Sequence, residues 1–134
     1  IQALRDIEAD IQQGEFVIVN GPSGSGKSTL LFTIGALQQP TTGRVTVADA
    51  DLYALTPAER AALRRSHIGL VFQTFNLIPY LTCVENVVFP ALLDGRTRQD
   101  SLKRAQTLLE GLGLGARLRH RPAELSVGER QRCQ

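Results

Sequence analysis

Cysteine is scarce in this chain: two in 134 residues, Cys83 and Cys133. They have no metal-like spacing and no histidine at a useful offset, which argues against a zinc site. Nothing in their placement suggests a disulfide framework, so a reducing, cytosolic compartment fits best. Tryptophan is absent and aromatics make up only 5%. No apolar run reaches about 18 residues and no signal peptide is visible, so the segment does not itself cross a membrane. Repeats and low-complexity linkers are also missing. Excess charge is missing too: fifteen basic residues against thirteen acidic leave a net charge of +2. That balance argues against a nucleic-acid binder driven by bulk charge.

What is present is ordinary for a globular chain, with 43% hydrophobic and 21% charged residues. The length suits one domain that buries roughly two-thirds of its unfolded surface. The charge is uneven. From Arg96 to Arg132 basic residues outnumber acidic ones, which reads as a solvated helical face. A patch that meets phosphate or a protein partner is the minority reading.

Glu15–Asn20, "EFVIVN", is a short apolar, β-branched run that reads as a buried strand. A Gly/Ser-rich turn follows, then "KSTLLFTIGAL", with Leu30, Leu31, Ile34 and Leu37 at helical spacing. Strand, glycine-rich loop and helix open an α/β unit. Gly43–Asp49 alternates like a half-exposed strand. Thr56, Pro57 and Glu59 form a capping box with a helix-starting proline. His67–Gln73 reads as another buried strand, and Asn76–Thr82 as a loop. Thr82 and Glu85 open a short helix that Pro90 is expected to end or kink. Leu102, Ala105, Leu108, Leu109 and Leu112 make an apolar helical stripe. After a turn-rich basic stretch, a last helix begins at Ser126.

The strongest motif is Gly21-Pro22-Ser23-Gly24-Ser25-Gly26-Lys27-Ser28, a match to G-x-x-x-x-G-K-[ST]. Its glycines let successive backbone N–H groups turn inward toward an anion. The helix that follows aims its positive end at the same point. Lys27 is placed to reach β- and γ-phosphates, and Ser28 to ligate Mg²⁺. A Gly/Ser-rich linker would lack the periodic apolar flanks seen here.

Two further stretches narrow the class. Gln73 is a polar strand end that enters a loop, as fits either a group that reaches Mg²⁺ or water, or a plain solvent-facing residue. Ser126 and Gly128 stand at a helix start whose free N–H groups suit an anion. Ser126 and Glu129 also have the spacing of a simple capping box, and the two readings are compatible. A phosphate loop, a glutamine about fifty residues on, and a Ser-x-Gly helix start about fifty further form a specific order.

Together "GPSGSGKSTLL", Gln73 in "VFQTFNLIPYLT" and "LSVGERQR" resemble the nucleotide-binding subunit of ATP-binding cassette (ABC) transporters, over residues 1–134. They look like its Walker A motif, its Q-loop and its signature motif. "FNLIPYLT" followed by "VENV" is similar to the branch that contains the macrolide-export and lipoprotein-release ATPases. The resemblance implies an α/β P-loop NTPase fold of ABC type: a β-subdomain, a RecA-like core and a helical subdomain. Residues 1–73 would carry the N-terminal β and RecA-like part, and residues 74–134 the helical subdomain.

The resemblance also implies ATP and Mg²⁺ as ligands, with Gly21–Ser28 and Thr29 on the nucleotide and Ser28 and Gln73 on the metal. Two copies would pair head to tail, with Ser126, Gly128 and Glu129 meeting the nucleotide of the other copy. A membrane permease would dock near residues 74–93, on the cytoplasmic face of the cell membrane, with no part for nucleic acid. The implied function is coupling of ATP binding and hydrolysis to transport, with export as the direction.

Two positions depart from the family's usual signature: Val127 stands for a glycine and Glu129 for a glutamine. The family's Walker B strand, catalytic glutamate and switch histidine find no match in residues 1–134. These residues alone are therefore expected to form an incomplete domain that hydrolyses ATP negligibly, with an incomplete core and doubtful solubility. No catalytic residue is assigned within them. A nucleotide-binding module without turnover is the alternative. A P-loop GTPase or small-molecule kinase is less well supported, because no N-K-x-D motif is present.

Overall fold

The computed structural model describes residues 3–134. The chain divides into two compact units, Ile1–Leu70 and Val71–Gln134.

In the first unit, helix α1 spans Lys27–Ile34. It closes in a Schellman turn: Leu37 N–H bonds Phe32 O at 2.9 Å and Ala36 N–H bonds Thr33 O at 3.3 Å. A tight antiparallel hairpin follows, β1 (Thr46–Val47) with β2 (Ala50–Asp51), in the register Thr46↔Asp51 and Val47↔Ala50. Its turn residues Ala48 and Asp49 both have positive φ, the geometry that lets a two-residue turn follow the strand twist. Helix α2 runs Pro57–His67, with the expected Thr56–Glu59 capping box. Leu52 is fully buried, and the Tyr53 hydroxyl donates to Thr33 O at 2.7 Å, holding the hairpin to the end of α1. Arg64 adds a tie from α2 to the Ala36 carbonyl.

The second unit is helical. Helix α3 spans Cys83–Leu93, with the expected Thr82–Glu85 capping box. Gly95, with φ of 76°, turns the chain after it, and α4 spans Arg98–Gly111 under a Thr97 cap. A second Schellman turn ends α4: Leu114 N–H bonds Leu109 O at 2.7 Å and Gly113 N–H bonds Glu110 O at 2.9 Å. This turn delivers Leu114 onto Leu109 in the core. Two short 3₁₀ turns, Gly115–Arg117 and Pro122–Glu124, lead to α5, Val127–Cys133. Cys83, Leu109, Leu114, Leu125 and Cys133 form the core, with Leu77, Val84, Val87 and Leu118 around it.

Several expectations are corrected. Glu15–Asn20 forms no strand among the described residues, and Phe16 and Ile18 are 89% and 76% exposed. His67 closes α2 and residues 68–73 form no strand, with Val71 exposed. An apolar run becomes a strand only when a ladder partner satisfies its N–H and C=O groups, and neither run has one among the described residues. Only Thr46–Val47 of Gly43–Asp49 is strand. Pro90 does not end α3, which continues to Leu93, where packing against α4 outweighs the lost hydrogen bond. In the apolar stripe, Ala105 and Leu109 are buried, but Leu108 and Leu112 lie about half exposed.

Candidate functional site

The phosphate-loop residues lie together at the start of α1. Gly24 and Gly26 have φ of 82° and 90°, left-handed conformations that glycine adopts without steric cost. Gly26 also has no room for a side chain, since an added Cβ would fall on the Ala3 carbonyl oxygen. Gly26 caps α1 and offers no side-chain acceptor. Among the described residues, each of the other four α-helices is capped at its start by a hydroxyl: Thr56, Thr82, Thr97 and Ser126 each accept from the N–H three residues on. The first N–H groups of α1 therefore have no side-chain cap. Such a helix start favours an anion, both through its N–H donors and through its dipole.

Lys27 completes the loop. Its Nζ donates to Gly21 O at 2.8 Å and Pro22 O at 2.7 Å, and lies 3.4 Å from Ser25 Oγ. The ammonium thus folds over the loop it follows, and a phosphate would offer it stronger, charged acceptors than these carbonyls. Gly21, Pro22, Ser23, Gly24, Ser25 and Ser28 are exposed, while Gly26, Lys27 and Thr29 are half-buried. Ser28 carries a hydroxyl, an oxygen donor of the kind that suits a hard cation such as Mg²⁺.

Gln73 is exposed, in the segment that precedes α3. That segment is pinned by a residue whose structural role the sequence did not reveal. Asn86, in the second turn of α3, accepts from Ile78 N–H at 2.7 Å. Its amide donates to the carbonyls of Ile78, Leu81 and Thr82 at 3.2, 3.2 and 3.0 Å. An asparagine four residues into a capped helix, beside a Pro-containing loop, was the available signal. Arg130 stacks over Phe75, with 5.1 Å between guanidinium carbon and ring centre.

Ser126, Gly128 and Glu129 lie at the start of α5. Ser126 is its N-cap and Val127 its first helical residue, so the β-branched side chain is accommodated as helix. Val127 and Gly128 are exposed. The Glu129 carboxylate is folded back: Oε2 accepts from Ser126 N–H and Oε1 from Arg117 Nε, both at 2.8 Å. The Arg117 hydrogen bond, then the Ser126 bonds, lower the Glu129 pKa to about 2. The two cysteines, unrelated by spacing, meet where Cys133 of α5 packs on Cys83 of α3, Sγ to Sγ at 3.1 Å.

Residues 4–134 match the family model described as ABC transporter. The chain belongs to the ABC transporter family.

Among curated relatives, it is 48% identical over 134 residues to a macrolide export ATP-binding/permease protein MacB of Rhodopirellula baltica. That match covers 98% of this chain and 20% of the relative. It is 45% identical over 131 residues to the lipoprotein-releasing system ATP-binding protein LolD of Shewanella oneidensis, covering 98% of this chain and 57% of that one. Among solved structures, the dimeric post-hydrolysis state of the ATP-binding cassette MJ0796, bound to ADP and Pi, matches with a TM-score of 0.90 at 41% identity. It covers 98% of this chain and 58% of that one. The chain thus spans between a fifth and three-fifths of the length of these ABC relatives. Its fold is that of part of an ABC-type P-loop NTPase, as the family resemblance implied.

Proposed function

We propose that this chain supplies the ATP-binding part of an ABC exporter, coupling ATP binding and hydrolysis to transport across a membrane. The observation that carries the reading is the start of α1: left-handed Gly24 and Gly26, a helix end with no side-chain cap, and Lys27 folded over the loop. Gly21–Thr29 would cradle the phosphates, with Lys27 moving from the Gly21 and Pro22 carbonyls to the β- and γ-oxygens. Ser28 and Gln73 would hold Mg²⁺, which when bound neutralises charge on those oxygens.

The similarity to MacB, LolD and a dimeric cassette supports two further elements. One is a head-to-tail pair of copies, in which Ser126 and Gly128 meet the nucleotide of the partner copy. The other is a membrane permease docked near residues 74–93, with the chain on the inner face of the membrane and a division of the chain near residue 73. Glu129 serves as an anchor of the signature helix in this reading. Its carboxylate is already engaged by Ser126 and Arg117.

Titration of the full chain with MgATP tests the reading. Lys27→Ala should weaken binding at least about tenfold, the loss of one charge-assisted contact. Unchanged affinity would remove Gly21–Thr29 as the nucleotide site.

A further inference from the structure

Cys83 is the first residue of α3 and Cys133 the last of α5, fifty positions apart. Both are free thiols and both are buried, Cys83 completely. Their hydrogen bonds form a short relay. Cys83 Sγ donates to Cys133 Sγ at 3.1 Å, and Cys133 Sγ donates to the Cys83 carbonyl at 3.6 Å. A disulfide has an S–S distance of about 2.05 Å, so closure requires roughly 1 Å of sulfur movement. Cys83 stands on a fixed base, because its N–H bonds the His120 carbonyl at 2.7 Å and Val84 N–H bonds Leu118 O at 3.0 Å.

We propose that Cys83 and Cys133 are a reversible disulfide-forming pair, oxidised by small-molecule disulfides such as oxidised glutathione, and that the bond clamps the end of α5 to the start of α3. Burial raises the pKa of both thiols, that of Cys133 to about 12, so the closed pair is slow to react. Access comes from α5 itself. When the contact between α5 and α3 opens locally, Cys83 is uncovered and loses the burial that disfavours its thiolate.

The Cys83 thiolate attacks one sulfur of the glutathione disulfide. The S–S bond breaks, one glutathione thiolate leaves, and a mixed disulfide forms on Cys83. While α5 is still open, Cys133 loses its proton to solvent and attacks the Cys83 sulfur; the second glutathione thiolate leaves, and α5 redocks on the closed disulfide. In sum, two protein thiols are oxidised to one disulfide and one glutathione disulfide is reduced to two glutathiones. In a reducing compartment the pair rests as the dithiol. The clamp fixes Cys133 within the helix that begins at Ser126. Any effect on nucleotide contact rests on the proposed function, whereas the disulfide does not.

The test uses the reduced full chain under native conditions, incubated with oxidised glutathione, alkylated and mapped as peptides without reduction. The expected result is a peptide pair joined through Cys83 and Cys133 that dithiothreitol separates. Amide exchange in α5 should then slow about tenfold relative to the reduced chain. In Cys133→Ser the reaction should stop at a glutathione adduct on Cys83. Two thiols that remain alkylatable, or an adduct on the unsubstituted chain that never resolves to an intramolecular bond, would overturn the proposal. ATP titration of the same samples reads the nucleotide site separately.

Discussion

Arg117 Nε donates to Glu129 Oε1 at 2.8 Å, joining the 3₁₀ turn after α4 to the first turn of α5. The partner oxygen of that carboxylate takes the Ser126 N–H. The acidic residue that departs from the usual ABC signature is therefore built into the helix start.

This arrangement fixes a pH dependence. The folded-state pKa of Glu129 is depressed to about 2, against about 4.3 in an unfolded chain. Its contribution to stability is present above about pH 4.3 and is lost as pH falls toward about 2. Glu59 and Glu85 are lowered in the same direction by their threonine caps. Glu129→Gln keeps a capping side chain but loses the charge. It should lower Tm by a few degrees at neutral pH, and the gap should shrink steadily below about pH 4.3. Thermal melts of both proteins from pH 7 to pH 3 check this. A gap that does not change with pH would remove the Arg117 pairing as its source.

The phosphate loop predicts a graded response to added methyl groups. Gly24→Ala meets no neighbouring atom, so it should cost only the left-handed conformation, roughly 1–2 kcal/mol. Gly26→Ala carries the same backbone cost and also drives a methyl into the Ala3 carbonyl. It should be clearly more destabilising in denaturant titrations. Equal losses would contradict the close approach of Ala3.

Asn86→Ala removes every side-chain bond to the loop at Ile78, Leu81 and Thr82. It leaves the Ile78 N–H without its partner. The expected cost is roughly 1–3 kcal/mol. Hydrogen exchange at Ile78 should quicken, while α4, to which none of these Asn86 bonds runs, keeps its protection. Uniform loss of protection would mean that Asn86 supports the whole unit and not the loop alone.

Elements with local signals were legible in the sequence. Thr56, Thr82 and Ser126 announced their helices because a cap, its glutamate three residues on and the following apolar residues all lie within one turn. The turn at Gly21–Gly26 and the start of α1 after it were legible for the same reason: glycine, lysine and serine there act on adjacent backbone. Glu15–Asn20 and residues 68–73 were not, because strand formation depends on partners far along the chain. Leu108 and Leu112 have the period of a buried stripe, yet α4 covers only the face that carries Ala105 and Leu109. The Cys83–Cys133 contact and the Arg117–Glu129 pair join residues fifty and twelve positions apart, and no spacing rule reaches that far.

The central claim is that the start of α5 meets a nucleotide held by another copy. Light scattering of the full chain with and without MgATP tests it most directly, alongside nucleotide titration. Ser126→Arg should bind MgATP with unaltered affinity and remain monomeric. Ser126→Ala, which loses only the cap at a cost of about 1 kcal/mol, should still dimerise. A Ser126→Arg chain that forms the ATP-driven dimer as readily as the unsubstituted one would contradict the account.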